Sequence, residues 1–253
     1  MAKHLFIIGA QRSGTTYLYK ALDAHPEVFM AKPVKPEPKY FMKEENAGKG
    51  YDAYIESHFS MREGSTWFGE KSTSYLESEL AAESISNTIQ APTLLVMLRN
   101  PVDRALSNYA YTCDNGLEPL DFEAALREES SRKESWQSMG TSVSPFAYTE
   151  RGEYSRYLDQ WAQVFGRERL ILLVYEQLVG KQSAISALYE RLGISPSFVS
   201  PGLTELANPS SAVKSGLALP LHVREGLHEA FEPWNRDLAG RYDLDLTCWK
   251  PEQ

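Results

Sequence analysis

His4-Leu5-Phe6-Ile7-Ile8, then Gly9-Ala10-Gln11-Arg12-Ser13-Gly14-Thr15-Thr16, then Tyr17-Leu18-Tyr19-Lys20-Ala21-Leu22, reads as a buried strand, a glycine-bracketed loop and the first turns of a helix. A loop in that setting turns backbone N–H groups inward, and the helix N-terminus adds a positive partial charge. The result is a cradle for phosphate or a similar oxyanion. A strand–turn–helix without any ligand is the competing reading. Gly, Arg, Ser, Gly, Thr and Thr together are poor loop filler but good anion ligands.

Gly9-x4-Gly14 followed by Thr16 fits the phosphate-loop spacing G-x-x-x-x-G-K-[ST] at every fixed position but one. Thr15 stands where that pattern has lysine, and the cation lies upstream at Arg12. In a phosphate loop the lysine reaches the outer phosphates of a triphosphate, and the last hydroxyl holds Mg²⁺. Its loss disfavours a triphosphate–metal complex and leaves room for a nucleotide with a less charged transferable group.

At 253 residues, 42% hydrophobic and 24% charged, the chain is long enough for one α/β domain with a sizeable core. The expectation is one domain over residues 1–253. A net charge of −8 argues against nucleic acid as a general partner, since backbone binding needs a basic face. Cys113 and Cys248 do not make a disulfide framework and read as reduced thiols. The first apolar run stops at Gly9, too early for a signal peptide or membrane span, and no other stretch approaches membrane length. The expectation is a soluble, cytoplasmic protein that needs no membrane; oligomeric state is left open.

Thr93–Leu98 and Leu170–Val174 are further apolar runs, read as buried strands that end at Arg99 and at Tyr175-Glu176. Helical patterns cover Glu77–Ile89, Val102–Tyr111 behind Pro101, Phe122–Glu129, Tyr154–Phe165, Ser183–Leu192 and Leu219–Phe231. Ala31–Gly50 reads as a long loop, and the serine-rich Glu128–Ser144 as an excursion. Strands alternating with helices predict a central parallel sheet flanked by helices, with ligands beyond the carboxyl ends of the strands. Gly9–Thr16, Arg99 and Tyr175 are all expected there.

Arg99-Asn100-Pro101-Val102-Asp103-Arg104-Ala105-Leu106-Ser107 places an arginine at a strand tip and a serine on the next helix. The two could bind a second phosphate; a helix-terminal salt bridge and a surface serine are the alternative. Two anion sites suggest a 3′,5′-bisphosphorylated adenosine. Here the sequence resembles the sulfotransferases that use 3′-phosphoadenosine 5′-phosphosulfate (PAPS), most closely the heparan-sulfate and related carbohydrate type. Gln11–Thr16 is similar to their 5′-phosphosulfate loop, and Arg99 with Ser107 to their 3′-phosphate motif. Phe68-Gly69-Glu70-Lys71-Ser72-Thr73-Ser74-Tyr75 resembles their Glu-Lys-(Ser/Thr)-x-x-Tyr segment, Glu37-Pro38-Lys39-Tyr40-Phe41 the segment with their catalytic glutamate, and Tyr157–Trp161 a later helix. The resemblance runs in order over about residues 5–220.

What the resemblance implies is a P-loop-like sulfotransferase fold and transfer of a sulfuryl group from PAPS to a hydroxyl or amine of a small-molecule or carbohydrate acceptor, without metal. Gln11, Arg12, Ser13, Gly14, Thr15 and Thr16 would cradle the donor. Arg12, where the family usually has lysine, would act as a charge clamp, since a guanidinium does not give up its proton. Glu37 would be the base, and Lys71 a cation near the sulfonate and the acceptor that stabilises developing charge; a salt bridge with Glu70 is the competing role for Lys71. Lys39 is expected on the same face of an extended segment as Glu37, where it could touch substrate. Tyr175 would meet adenine or pack in the core, and Lys214-Ser215-Gly216 resembles the family's late nucleotide loop. Of the histidines, His25 and His58 fall in no matching motif, and His25 reads as a structural cap. A small-molecule kinase and a non-catalytic nucleotide-binding protein remain the alternative functions.

Overall fold

The computed structural model describes residues 3–46, 48–59, 65–132, 136–201 and 219–251. Lys214, Ser215 and Gly216 lie outside the described residues. The chain forms two compact units, Met1–Leu98 with Leu158–Ala207, and Arg99–Tyr157 with Asn208–Gln253.

The first unit holds a five-stranded sheet in the order β2-β3-β1-β4-β5, with every pairing parallel. The strands are β1 (Lys3–Gly9), β2 (Val28–Met30), β3 (Trp67–Lys71), β4 (Thr93–Leu98) and β5 (Leu170–Val174). β1 is the central strand, and Leu5 to Ile8 are no more than 1% exposed, which is why the sequence there is a continuous apolar run. Leu5 and Ile7 face a core shared with Leu18 and Leu22 of α1 (Thr15–Ala24) and with Ile185, Leu188 and Leu192 of α8 (Gln182–Leu192). Phe6, on the opposite face, meets Phe41 and Tyr54 of α2 (Gly50–His58) at ring-centroid distances of 5.8 and 6.2 Å. Helices therefore flank both faces of a central parallel sheet, as predicted. α3 (Glu79–Thr88) is capped by Ser78, whose hydroxyl accepts the Ala81 N–H at 3.1 Å. Trp161 of α6 (Tyr154–Phe165) is fully buried and donates to the Leu76 carbonyl at 3.0 Å. α7 (Tyr175–Leu178) follows β5 directly.

The second unit begins with α4 (Pro101–Asp114), where Pro101 occupies the first turn and the Asn100 side chain accepts the Val102 N–H at 3.0 Å. Val102, Ala105 and Tyr109 pack with Phe122 and Ala125 of α5 (Phe122–Arg127) and with Val223, Leu227 and Phe231 of α9 (Leu221–Tyr242). The start of the serine-rich stretch is tied down. Buried Glu129 accepts the Thr149 and Glu150 N–H groups, and Arg132 pairs with Glu118 at 2.7 Å.

β2 and α7 also go beyond the sequence reading, and three further elements differ from it for identifiable reasons. α2 buries only Tyr54, so it carries no 3.6-residue apolar stripe. β3 ends in Glu70 and Lys71, both buried, which hides it from a search for apolar runs. α9 continues past Phe231 through Pro233, which is exposed, so water can satisfy the carbonyl that loses its donor. Neither Cys113 nor Cys248 is in a disulfide. Among the described residues, no helix is long and apolar enough to cross a membrane.

His4 carries a consequence for stability. It is 6% exposed, its Nε2 lies 3.0 Å from the Tyr51 hydroxyl, and Tyr54, Phe59 and Phe68 surround the ring. Burial pushes its pKa down to about 4. The folded chain then keeps His4 neutral while the unfolded chain protonates it below about pH 6.5. Unfolding takes up a proton in that window, so stability falls as pH drops from about 6.5 to 4, by about 3 kcal/mol from this group. Urea unfolding of wild type and His4→Phe across that range checks it: the difference between the two should grow towards acid, and a constant difference refutes it.

Candidate functional site

The loop between β1 and α1 is anchored at its start, where the Ala10 N–H donates to the Met97 carbonyl at 2.8 Å. Two residues in it take positive φ, Arg12 at 66° and Gly14 at 82°. Gly14 is needed there twice over. Its φ favours glycine, and a Cβ would lie 2.6 Å from the Tyr175 ring. Tyr175 therefore packs its ring against the loop backbone. Gly14 precedes α1 without any side-chain cap. The first N–H groups of α1 thus keep donor capacity, as at other anion-binding helix ends.

Ser13 is fully buried, and its Oγ has no hydrogen-bond partner among the described residues. An orphaned hydroxyl at that depth costs free energy unless something else satisfies it. It is a feature that fits an oxyanion in the loop. Arg12 and Gln11 are half-buried, Thr15 is buried and Thr16 exposed. The Gln11 amide donates to Ser74 Oγ at 3.1 Å and links the loop to the segment after β3.

That segment carries the second half of the site in this unit. β1 and β3 are neighbours with Ile7 opposite Lys71, and the Ser72 N–H donates to the Ile7 carbonyl at 3.1 Å. Lys71 thus emerges at the carboxyl edge of the sheet, one strand away from the loop. Strand alternation sends Glu70 and Lys71 to opposite faces. Lys71 pairs with Glu37 at 2.5 Å, their side chains 4% and 15% exposed. Its partner is Glu37 and not Glu70. Glu37 also accepts the Thr73 N–H at Oε2 (2.8 Å), and the Thr73 hydroxyl lies 3.0 Å from both carboxylate oxygens. A carboxylate held by an ammonium, an amide and a hydroxyl has a fixed orientation and can still accept one more proton if the shared hydroxyl yields an oxygen.

Glu70 is fully buried and accepts three hydroxyls, from Tyr54 at 2.9 Å, Ser72 at 2.7 Å and Tyr75 at 2.5 Å. Burial raises its pKa, and the three hydroxyl bonds work against that rise. Lys39 does not continue an extended segment beyond Glu37: it takes φ 48° and turns the chain into a short 3-10 helix at Tyr40–Met42. The same-face placement expected for Lys39 is therefore corrected, because the backbone turns at that residue. His25 ends α1, with Nδ1 accepting the Glu27 N–H at 3.2 Å and Nε2 at 3.1 Å from the Ser195 carbonyl, a structural cap.

Sequence reasoning missed the roles of Thr73, Ser74 and Glu70, although it had quoted the segment that holds them. The available signal was the run of hydroxyl residues immediately after a charged strand end. In the second unit, Arg99 directly precedes the α4 cap, and its carbonyl accepts the Tyr154 hydroxyl at 2.8 Å. Ser107 lies on α4 and is 1% exposed. Among the described residues, no cluster of three or more His, Cys, Asp or Glu side chains is arranged to hold a metal ion.

The solved structure of a sulfotransferase from Alicyclobacillus acidocaldarius superposes with a TM-score of 0.79 at 24% identity, over 99% of this chain and 100% of that one, which shows the shared fold. The mouse bifunctional heparan sulfate N-deacetylase/N-sulfotransferase 1 is 28% identical over 173 residues, 67% of this chain and 19% of that protein. The mouse heparan sulfate glucosamine 3-O-sulfotransferase 3A1 is 30% identical over 173 residues, 68% of this chain and 41% of that protein. The match thus spans less than half the length of either relative. The model of the sulfotransferase domain matches residues 2–205, most of the chain, and the chain therefore belongs to the sulfotransferase family.

Proposed function

We propose that residues 1–253 act as one PAPS-dependent sulfotransferase domain, with a hydroxyl or amine of a small-molecule or carbohydrate acceptor as the nucleophile and Glu37 as the base. The observation that carries this reading is the clamped Glu37–Lys71–Thr73 cluster one strand away from a loop with an orphaned buried hydroxyl. PAPS would supply the activated sulfuryl group: the acceptor oxygen or nitrogen bonds to sulfur as the bond from the 5′-phosphate oxygen to sulfur breaks, and 3′-phosphoadenosine 5′-phosphate leaves. The α1 N–H groups, Ser13 Oγ and the Thr15 and Thr16 hydroxyls bind its 5′ end, and Gln11 keeps that loop in register with the segment after β3. Arg12 neutralises charge on the 5′ side as a clamp that does not shuttle protons. Glu37 takes the acceptor proton, and Lys71 sets the orientation of its carboxylate and adds positive potential where charge develops. Arg99 and Ser107 take the 3′-phosphate, with Lys214, Ser215 and Gly216 as further contacts. Tyr175, whose ring packs against the loop at Gly14, meets the adenine. Lys39 contacts an anionic part of the acceptor. No metal takes part in this reading.

The names of the relatives include transfer to nitrogen and to oxygen on heparan sulfate, so a glycan acceptor with either atom is in keeping with them. Thermal shift with 3′-phosphoadenosine 5′-phosphate against ATP–Mg²⁺ tests the donor class. Selective stabilisation by the bisphosphate is expected. Arg99→Ala should weaken that binding by about 1.5–3 kcal/mol, the scale of a charge-assisted hydrogen bond, and weaken adenosine 5′-phosphosulfate, which lacks the 3′ group, much less. Selective stabilisation by ATP–Mg²⁺ would favour a kinase instead, and equal losses for both nucleotides would remove Arg99 from the 3′ site.

A further inference from the structure

Glu70 touches none of the groups assigned above to the donor or the acceptor. Among the described residues it has no cationic partner, and its three bonds all come from neutral hydroxyls. A fully buried carboxylate with that inventory is costly to keep, because hydroxyls compensate its lost hydration less well than an arginine or lysine would. Two of the three hydroxyls do something more. Ser72 Oγ accepts the Lys39 N–H at 2.8 Å, and the Tyr75 hydroxyl accepts the Phe41 N–H at 3.1 Å. Lys39 and Phe41 follow Glu37 by two and four residues. The Tyr54 hydroxyl donates to Glu70 as well, but comes from α2 and receives no N–H from this segment.

A hydroxyl can either donate or accept along a given direction, and its rotation decides which. An acceptor-only carboxylate forces Ser72 and Tyr75 to donate towards it. Their lone pairs are then turned to the backbone N–H groups at 39 and 41. We propose that Glu70 is a positioning residue for Glu37: by fixing the polarity of Ser72 and Tyr75 it pins the backbone that follows the base. The left-handed φ of 48° at Lys39 is the geometry these bonds must hold in place. The chain of contacts runs from the Glu70 carboxylate through each hydroxyl to one amide, and every link is a hydrogen bond of ordinary length. This inference rests on Glu37 being the base, but it is a statement about backbone order and can be read without turnover.

The test compares Tyr75→Phe, Ser72→Ala and Tyr54→Phe by site-resolved amide hydrogen exchange, with thermal midpoints measured alongside. Each variant removes one donor from Glu70, so a merely structural role predicts a similar general loss from all three. Positioning predicts faster exchange by about tenfold at the Phe41 amide in Tyr75→Phe and at the Lys39 amide in Ser72→Ala, equivalent to one net hydrogen bond. Tyr54→Phe should leave both amides unchanged after correction for global stability, and Ser72→Thr, which keeps the hydroxyl, should restore protection at Lys39. Glu70→Met should release both amides at once. Glu70→Gln should retain both, because its amide oxygen can take the two hydroxyls that carboxylate Oε1 takes. Equal release of both amides in Tyr54→Phe, or none in Tyr75→Phe and Ser72→Ala, overturns the inference. An intact exchange pattern in a chain whose Glu37→Gln variant turns over normally would overturn the assignment of the base and leave the positioning standing.

Discussion

Glu37→Gln should lower turnover by about 10²–10⁴-fold, the range for loss of a positioned general base. The contacts explain why glutamine cannot mimic the acid here. Lys71 donates to Oε1 and the Thr73 N–H to Oε2, so both oxygens already face donors. An amide NH₂ must therefore point at an ammonium or at a backbone N–H, and either arrangement sets donor against donor. Part of the loss would then come from displacement of the segment and not from the missing base. Calorimetry with 3′-phosphoadenosine 5′-phosphate separates the two, because the loop that would bind it follows a different strand. Affinity close to wild type with turnover gone is the expected result. Glu37→Asp supplies the second check: it keeps the acid and its charge but shortens the reach, so it should retain more activity than the amide. Normal turnover in Glu37→Gln would remove this residue as the base.

The central sheet was legible because β1 and β4 are buried on both faces and the edge strand β5 mostly so, and all three appear as uninterrupted apolar runs. The loop was legible for a different reason, since Gly14 stands at a φ where other residues are strained and beside a ring that leaves no room for a Cβ. β3 was readable as a motif but not as a strand. Its last two residues are charged, and what makes them tolerable in the interior is tertiary: three hydroxyls for Glu70 and one carboxylate for Lys71. The same applies to Lys39, whose left-handed turn depends on a bond to Ser72, 33 positions away. Residues that satisfy one another across such separations leave no periodic trace. The sequence could name Glu37 and Lys71 through resemblance, but their being each other's partner, with Thr73 as the third member, needed the fold.

Lys71→Met should destabilise the protein by about 3–5 kcal/mol, because it leaves the partly buried Glu37 charge without its cation. The Thr73 N–H and hydroxyl still hold the carboxylate, which places the expected loss nearer the lower end. Glu37→Gln on its own leaves the mirror-image problem, an ammonium that is 4% exposed with a neutral partner. Removing both charges removes both problems. The double variant should therefore be less destabilised than the two single losses added together, with a coupling of about 0.5–3 kcal/mol for residues in direct contact. A replacement of both by apolar side chains, Lys71→Met with Glu37→Leu, should come close to wild-type stability, since buried ion pairs are often matched or exceeded by apolar packing of similar volume. That variant should also be inactive. Urea unfolding of the wild type, both singles and the doubles gives the cycle directly. Strictly additive losses would mean that the 2.5 Å contact contributes nothing as a pair, and with it would go the argument that Lys71 sets the carboxylate. A stable but inactive apolar pair would mean that the charges of Glu37 and Lys71 serve catalysis at no benefit to folding.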